Sequence, residues 1–129
     1  MAVFEGISTL SVEAGEDLSS DQYKFVKLSA GKVIKAGDGG DAIGVLLNAP
    51  TSGLVATVAT VDGGGKCKVK LGGTVAIDAY VGSGSGSTGV TGDTGAVILG
   101  QALEAGVTGD VITVLLGHRG ITFELYNNL

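Results

Sequence analysis

Displaced along itself by 56 residues, the chain overlaps its own pattern. Gly44 falls on Gly100, Leu47 on Leu103, Ala49 on Ala105, Gly53 on Gly109, Val55 on Val111, Thr57 on Thr113 and Val58 on Val114. Ser52 meets Thr108 as a conservative pair. Seven identities within this window stand against the ~1–2 that so biased a composition gives by chance. One residue further out of register, Asp21 and Tyr23 fall on Asp78 and Tyr80, and Val33 falls on Val90. Each half reads as a Tyr-bearing segment, a glycine-rich loop, a strand, a turn at Ser52-Gly53 or Thr108-Gly109, and a Val/Thr strand. The turn glycine is expected to fix the register of a strand pair. Halves of roughly 50 residues are too small to stand alone, so they must share one core.

The strands of that core are written in alternation. Lys66 to Leu71 sets Lys66, Lys68 and Lys70 on one face and Cys67, Val69 and Leu71 on the other. Further strands are predicted at Tyr23 to Leu28, Lys32 to Lys35, Ala42 to Leu47, Leu54 to Val61, Thr74 to Ile77, Val97 to Leu103 and Asp110 to Leu116. Glycine punctuates them at Gly37 to Gly40, Gly63 to Gly65 and Gly82 to Gly95. The chain holds 24 Gly and one Pro, and aromatics make up only 5%, so Val, Leu, Ile and Ala must fill the interior. The fold class that follows is mainly β: a compact Gly-rich β-barrel or sandwich built from two pseudo-repeats, with an extended N-terminal arm. Its parts are an arm over residues 1–20, a single β domain over 21–120 with pseudo-repeats at about 21–64 and 78–120, and a tail over 121–129.

The ends lie outside the repeat. The arm mixes Val3, Phe4, Ile7 and Leu10 with Glu13, Glu16 and Asp17. Its one alternating stretch is able to add a strand to another sheet. The tail closes the chain with Ile121, Phe123, Leu125 and Tyr126, an apolar set that needs a partner surface. Val3, Phe4, Ile7, Leu10, Phe123, Leu125 and Tyr126 are therefore the candidate interface residues. The lysine stripe of residues 66, 68 and 70 either meets the acidic arm of a neighbouring subunit or is a solvated strand face that discourages edge-to-edge aggregation.

Chemistry finds little to work with. His118, the single histidine, sits in Gly117-His118-Arg119-Gly120 and reads as a polar turn at a strand end. With one His and one Cys there is no zinc site and no nucleophile–base pair. Gly84-Ser85-Gly86-Ser87-Thr88-Gly89 spells a dinucleotide fingerprint, but no helix can start after it, and it reads as a flexible exposed loop. Gly37-Asp38-Gly39-Gly40-Asp41 lacks the bidentate Glu of a calcium loop. The chain is read as no enzyme, with no catalytic residue, cofactor or metal. The net charge of −5 argues against nucleic acid as a partner. No apolar run reaches the roughly 18–20 residues that span a bilayer, and no membrane partner is expected. Cys67 lies on the buried face of its strand and reads as an inert thiol, or, if that face meets a neighbour, as an intersubunit disulfide. Charged residues are only 16%, which points to a surface partly buried against other subunits.

Several segments, in order, resemble one family. Phe4-Glu5-Gly6-Ile7, Leu10-Ser11-Val12, Ala14-Gly15 and Gln22 to Leu28 are similar to the start of the capsid cement, or head decoration, proteins of tailed phages. Gly39, Asp41 to Leu46, Pro50 and Gly53 fit its middle. Ile98-Leu99-Gly100, Ala102 to Ala105 and Leu115 to Gly120 fit its end. Ile121 to Leu129 runs past that pattern, and the Gly82 to Gly95 loop is richer in Ser and Gly than it. The resemblance implies a small β-rich protein made in the host cytoplasm and carried on the outer surface of the virion capsid. It implies a homotrimer whose other partner is the major capsid protein, whose neighbouring subunits it staples. The alternative is a self-assembling module of a phage tail tube, fibre or secreted filament, which would polymerise in isolation. A carbohydrate-binding β domain would show exposed aromatics, and this chain has no Trp and three Tyr.

Overall fold

The computed structural model describes residues 2–39, 41–92 and 97–117. Among these, ten strands form two antiparallel five-stranded sheets. The first contains β1 (Thr9–Glu13), β2 (Phe25–Ser29), β3 (Lys32–Lys35), β4 (Gly44–Leu46) and β5 (Val55–Thr60), in the order β1-β5-β4-β2-β3. The second contains β6 (Lys66–Lys70), β7 (Tyr80–Ser83), β8 (Gly89–Thr91), β9 (Gly100–Ala102) and β10 (Val111–Leu116), in the order β6-β10-β9-β7-β8. The two orders are the same, strand for strand. Neither sheet closes into a barrel by a continuous ladder. Each coils until its two edge strands touch at one end through a single parallel bridge, Ala14 to Val33 in the first and Leu71 to Gly89 in the second.

The repeat is thus real, and it is longer than the sequence shows. The segment read as a free arm contributes β1, which pairs with β5 from Thr9–Ala59 to Glu13–Val55. β6 pairs with β10 in the same way, from Lys66–Leu115 to Lys70–Val111. Val12 packs toward the first sheet's interior as Val69 does in the second, while Leu10, in the register of Cys67, stays 39% exposed. Beyond β1, Ala14 and Leu18 are fully buried. The alternating stretch of the arm completes its own sheet, which corrects the reading of 1–20 as an extension reaching elsewhere.

The registers also correct the finer matches. Phe25–Val45 in the first sheet corresponds to Tyr80–Gln101 in the second, so Tyr80 stands in the place of Phe25. Leu28–Val33 corresponds to Ser83–Gly89, so Val33 matches Gly89 and not Val90. The N–H of Tyr23 donates to Leu46 and that of Asp78 to Ala102, which sets Tyr23 against Asp78. Both residues hold left-handed φ, +68° and +70°. The Gly84 to Gly89 segment is a hairpin end and no loose loop. A single 3-10 turn, Ser85–Ser87, joins β7 to β8, and Ser83 and Ser87 are buried. The stretch Thr74 to Ile77 contributes only an isolated bridge, Val75 to Gly106.

The two turns behave as their glycines predict. Leu54 N–H donates to Thr51 O and Asp110 N–H to Val107 O, with Gly53 and Gly109 at φ +87° and +91°. Such a φ suits glycine at the third position of a type II turn. The N–H groups of these glycines then donate to Ala14 and Leu71, tying each turn to the strand that closes its sheet.

The interior has two parts. A smaller cluster of Ala14, Leu18, Val26, Val33, Leu46, Ala56 and Val58 fills the first sheet's concave side. A larger one joins residues of both sheets, among them Phe25, Val45 and Ala59 of the first and Val69, Val81 and Val114 of the second. Along β5, Ala56 and Val58 serve the small cluster while Ala59 serves the large one. The first sheet is buried on both faces at this point, which is why its strands read as near-continuous apolar runs.

Gly44 and its counterpart Gly100 allow neighbouring strands to meet. A Cβ on Gly44 would collide with the Ala59 carbonyl and with Val58. On Gly100 it would lie 2.7 Å from both the Leu115 carbonyl and Val114. Gly44→Ala and Gly100→Ala should each cost about 1–3 kcal/mol through overpacking. Urea unfolding should show a lowered midpoint at unchanged slope.

Candidate interaction surface

The join between the sheets is stitched largely by backbone. Val3 N–H donates to Thr113 Oγ1 at 2.9 Å. Glu5 and Lys66 exchange two backbone bonds of 3.0 and 2.7 Å. Lys70 N–H donates to the Tyr23 carbonyl at 2.9 Å. Gly39 N–H donates to Ser83 O, Ser83 Oγ–H to Gly37 O, and Gly37 N–H to Ser87 Oγ. The two buried serines of the β7–β8 hairpin thus hold the first half's glycine loop. Where the arm crosses the linker to β6, Gly6 and Gly65 approach so closely that a Cβ on Gly65 would strike the Gly6 and Glu5 carbonyls.

These contacts place the candidate interface residues. Ile7 packs against the larger core cluster. Phe4 lies 6.1 Å from the Tyr23 ring, and the Lys68 ammonium sits 5.0 Å over Phe4 and 5.8 Å over Tyr23. Val3 and Phe4 remain 37% and 40% exposed, so they form a surface while fastened to the second sheet. Leu10 is 39% exposed on β1. Phe123, Leu125 and Tyr126 lie outside the described residues, as does His118. The lysine stripe finds its acidic partner within the same chain: Lys66 Nζ is 3.0 Å from Glu5. The other arm acids are also engaged locally. Glu13 pairs with Lys32 at 3.1 Å, and Glu16 accepts the Lys35 N–H. Ser19, bonding through side chain and backbone, holds the Asp17 carboxyl below its usual range.

Sequence reasoning missed a second set of exposed apolar residues. Leu54 and Val55 are both 59% exposed at the first turn, and Val107 is 55% exposed at the second, with Ile77 at 60%. Leu28 and Tyr80 are each 49% exposed on the sheets. The available signal was the pairing of an apolar residue with a turn glycine in both repeats.

A cleft of about 500 Å³ is lined by Asp41, Ala42, Ile43, Thr60, Val61 and Asp62. Among the described residues no group of three or more His, Cys, Asp or Glu could hold a metal ion. No described helix is long and apolar enough to cross a membrane.

The architecture is that of an open β fold of two coiled, repeat-related sheets. Of solved structures, it is similar to the head fibre gp8.5 N base of bacteriophage phi29, at TM-score 0.69 and 17% identity, over 89% of this chain and 97% of that one. No protein-family model matches the chain. No curated protein matches it in sequence.

Cys67 is fully buried and donates from Sγ to the Lys68 carbonyl at 3.4 Å. Its face meets the interior of the same chain, which corrects the idea that it forms an intersubunit disulfide. Burial pushes its pKa from the ordinary 9.0 up to about 12, outweighing the smaller pull of the Lys68 backbone in favour of the thiolate. The unfolded thiol ionises first. Stability is therefore complete below pH 9 and falls between 9 and about 12, by up to ~1.4 kcal/mol per pH unit. Cys67→Ala should lack this fall, read as the difference between the two proteins' denaturation curves against pH.

Proposed function

We propose that the chain is a structural protein of a phage head, a decoration or cement protein that binds the outer surface of the expanded shell. The observation that carries this reading is the likeness of its whole fold to the base of a phage head fibre. The sequence resemblance to head decoration proteins supports it. So does the shortage of charge on a surface bearing Leu54, Val55, Ile77 and Val107.

On this reading the protein has no catalytic role, cofactor or metal. Its partners are the major capsid protein and further copies of itself, as a homotrimer, with no nucleic acid or membrane. A protein that binds only the mature lattice stabilises that lattice over the ruptured one by mass action. Joining several weak contacts in one trimer raises their combined strength through effective concentration. The two sets of turns give each protomer two apolar footholds, one per repeat. With the arm committed to its own domain, these turns are the better docking surface for the shell.

A fibre module is the second reading, because the similar structure is itself a fibre base. Cosedimentation separates the two. Purified protein should saturate expanded empty capsids and ignore unexpanded procapsids. Val107→Asp and Leu54→Asp should weaken that binding by roughly 10-fold or more without changing the thermal melt. Absence of any capsid binding, with open-ended polymers in the protein alone, would transfer the reading to a fibre or tube module.

A further inference from the structure

We infer that the contact joining the two sheets within the chain is repeated between chains, so that a second copy docks head to tail on the outer face of the second sheet. Inside the chain, the outer row of the first sheet, Phe25–Val45–Ala59, is covered by the second half. The strand registers give each residue of this contact a counterpart in the other half. For Phe25, Val45 and Ala59 the counterparts are Tyr80, Gln101 and Leu115, one lateral row across β7, β9 and β10. For Cys67 on the opposing side the counterpart is Leu10, and for Ser83 it is Leu28.

Burial differs sharply between the two sets. Phe25 and Cys67 are fully buried and Ser83 is 2% exposed, whereas Tyr80, Leu10 and Leu28 are 49%, 39% and 49% exposed. Both sides of the internal contact therefore recur on the surface as apolar positions, one at each end of the chain's pair of sheets. A second copy brings them together: its Leu10, in the place of Cys67, meets Tyr80 and Leu115 of the first, and its Leu28 borders the same contact as Ser83 borders the internal one. The backbone is prepared for the same stitch. The Tyr23 carbonyl accepts from Lys70 N–H, and their counterparts are the Asp78 carbonyl and the Glu13 N–H.

One substitution moderates the contact. Where the first row has Val45, the second has Gln101, whose Nε2 donates to the Asp78 carbonyl at 2.9 Å. The carbonyl that a second copy's Glu13 would engage is thus already served while the chain is alone. The contact between chains is for this reason weaker than the one within, and Gln101→Val should tighten it. Because the two surfaces differ, the association is heterologous, and it closes into a ring or continues as a filament according to its rotation.

This deepens the self-association proposed above, but it rests on the repeat and is tested without capsids, so its failure leaves the shell-binding experiment untouched. The measurement is sedimentation velocity on wild type, Tyr80→Asp, Leu28→Asp and Gln101→Val, with thermal melts to confirm folding. Wild type should assemble. Tyr80→Asp and Leu28→Asp should each weaken assembly by roughly 30-fold or more, and Gln101→Val should strengthen it. An equimolar mixture of Tyr80→Asp and Leu28→Asp has one intact contact and should form a capped 1:1 dimer. Folded wild type that stays monomeric, aspartate variants that assemble as wild type does, or a mixture that stays monomeric would overturn the inference. Should Leu28→Asp fail to fold, Leu10→Asp takes its place on the same side.

Discussion

Everything in this molecule depends on one sheet being covered on both of its faces. A coiled five-stranded sheet of some 50 residues can fill its concave side, but its convex side stays wet and the unit stays marginal. Here the convex row Phe25–Val45–Ala59 enters the interior of the other half, and the larger core cluster runs through both. The hydrophobic term that each half lacks alone is supplied by the contact between them. The buried serines of the β7–β8 hairpin follow from the same contact. Ser83 and Ser87 are enclosed because the Gly37–Gly39 loop lies against them, and three hydrogen bonds satisfy the groups that this burial would otherwise strand.

The N-terminal residues are the second consequence. Two sheets joined face to rim leave the outer strand of the second exposed as a lysine-bearing edge. The chain's own start lies against it, through the Glu5–Lys66 backbone pair and the Val3–Thr113 bond, before turning at Gly6 to become β1. The ionic part of this contact is minor. Lys66 is 42% and Glu5 71% exposed, a pair of the kind that contributes at most about 1 kcal/mol. Backbone pairing and the packing of Ile7 hold the segment, while Lys68 between Phe4 and Tyr23 shields part of the edge.

The sequence carried the repeat where the two halves solve the same local problem. Gly44 and Gly100 let strands touch, Gly53 and Gly109 make the same turn, and Val58 and Val114 face the same kind of interior, so identity survives. It lost the repeat where the halves differ in their surroundings. Val33 and Gly89 occupy the same register, but Val69, Val81 and Leu71 already crowd the space at Gly89. β1 and β6 share only their alternation, because one carries a thiol and lysines beneath the N-terminal segment and the other lies open. The β7–β8 hairpin was hidden most deeply. Its Gly-Ser composition reads as solvent-exposed chain, and only the contact with the other half makes its serines interior residues. Exposed apolar positions such as Leu54, Ile77 and Val107 were missed, because which face they take depends on registers that no local pattern states.

The pair Phe25 and Tyr80 shows how one fold can serve both as an internal joint and as a surface. Within the chain the two halves are tethered, so their contact forms at high effective concentration and tolerates a purely apolar row. An identical row left open on the second sheet would be a sticky patch on every monomer. Tyr80 retains the ring but adds a hydroxyl, and Gln101 replaces a valine while serving the carbonyl beside it. Each change lowers the cost of exposing the row without removing its shape. A row of this kind suits a contact with a separate chain, since covering it displaces only a few polar contacts. The closed contact gives the chain its stability, and the softened copy is the face that the inferred second chain would cover.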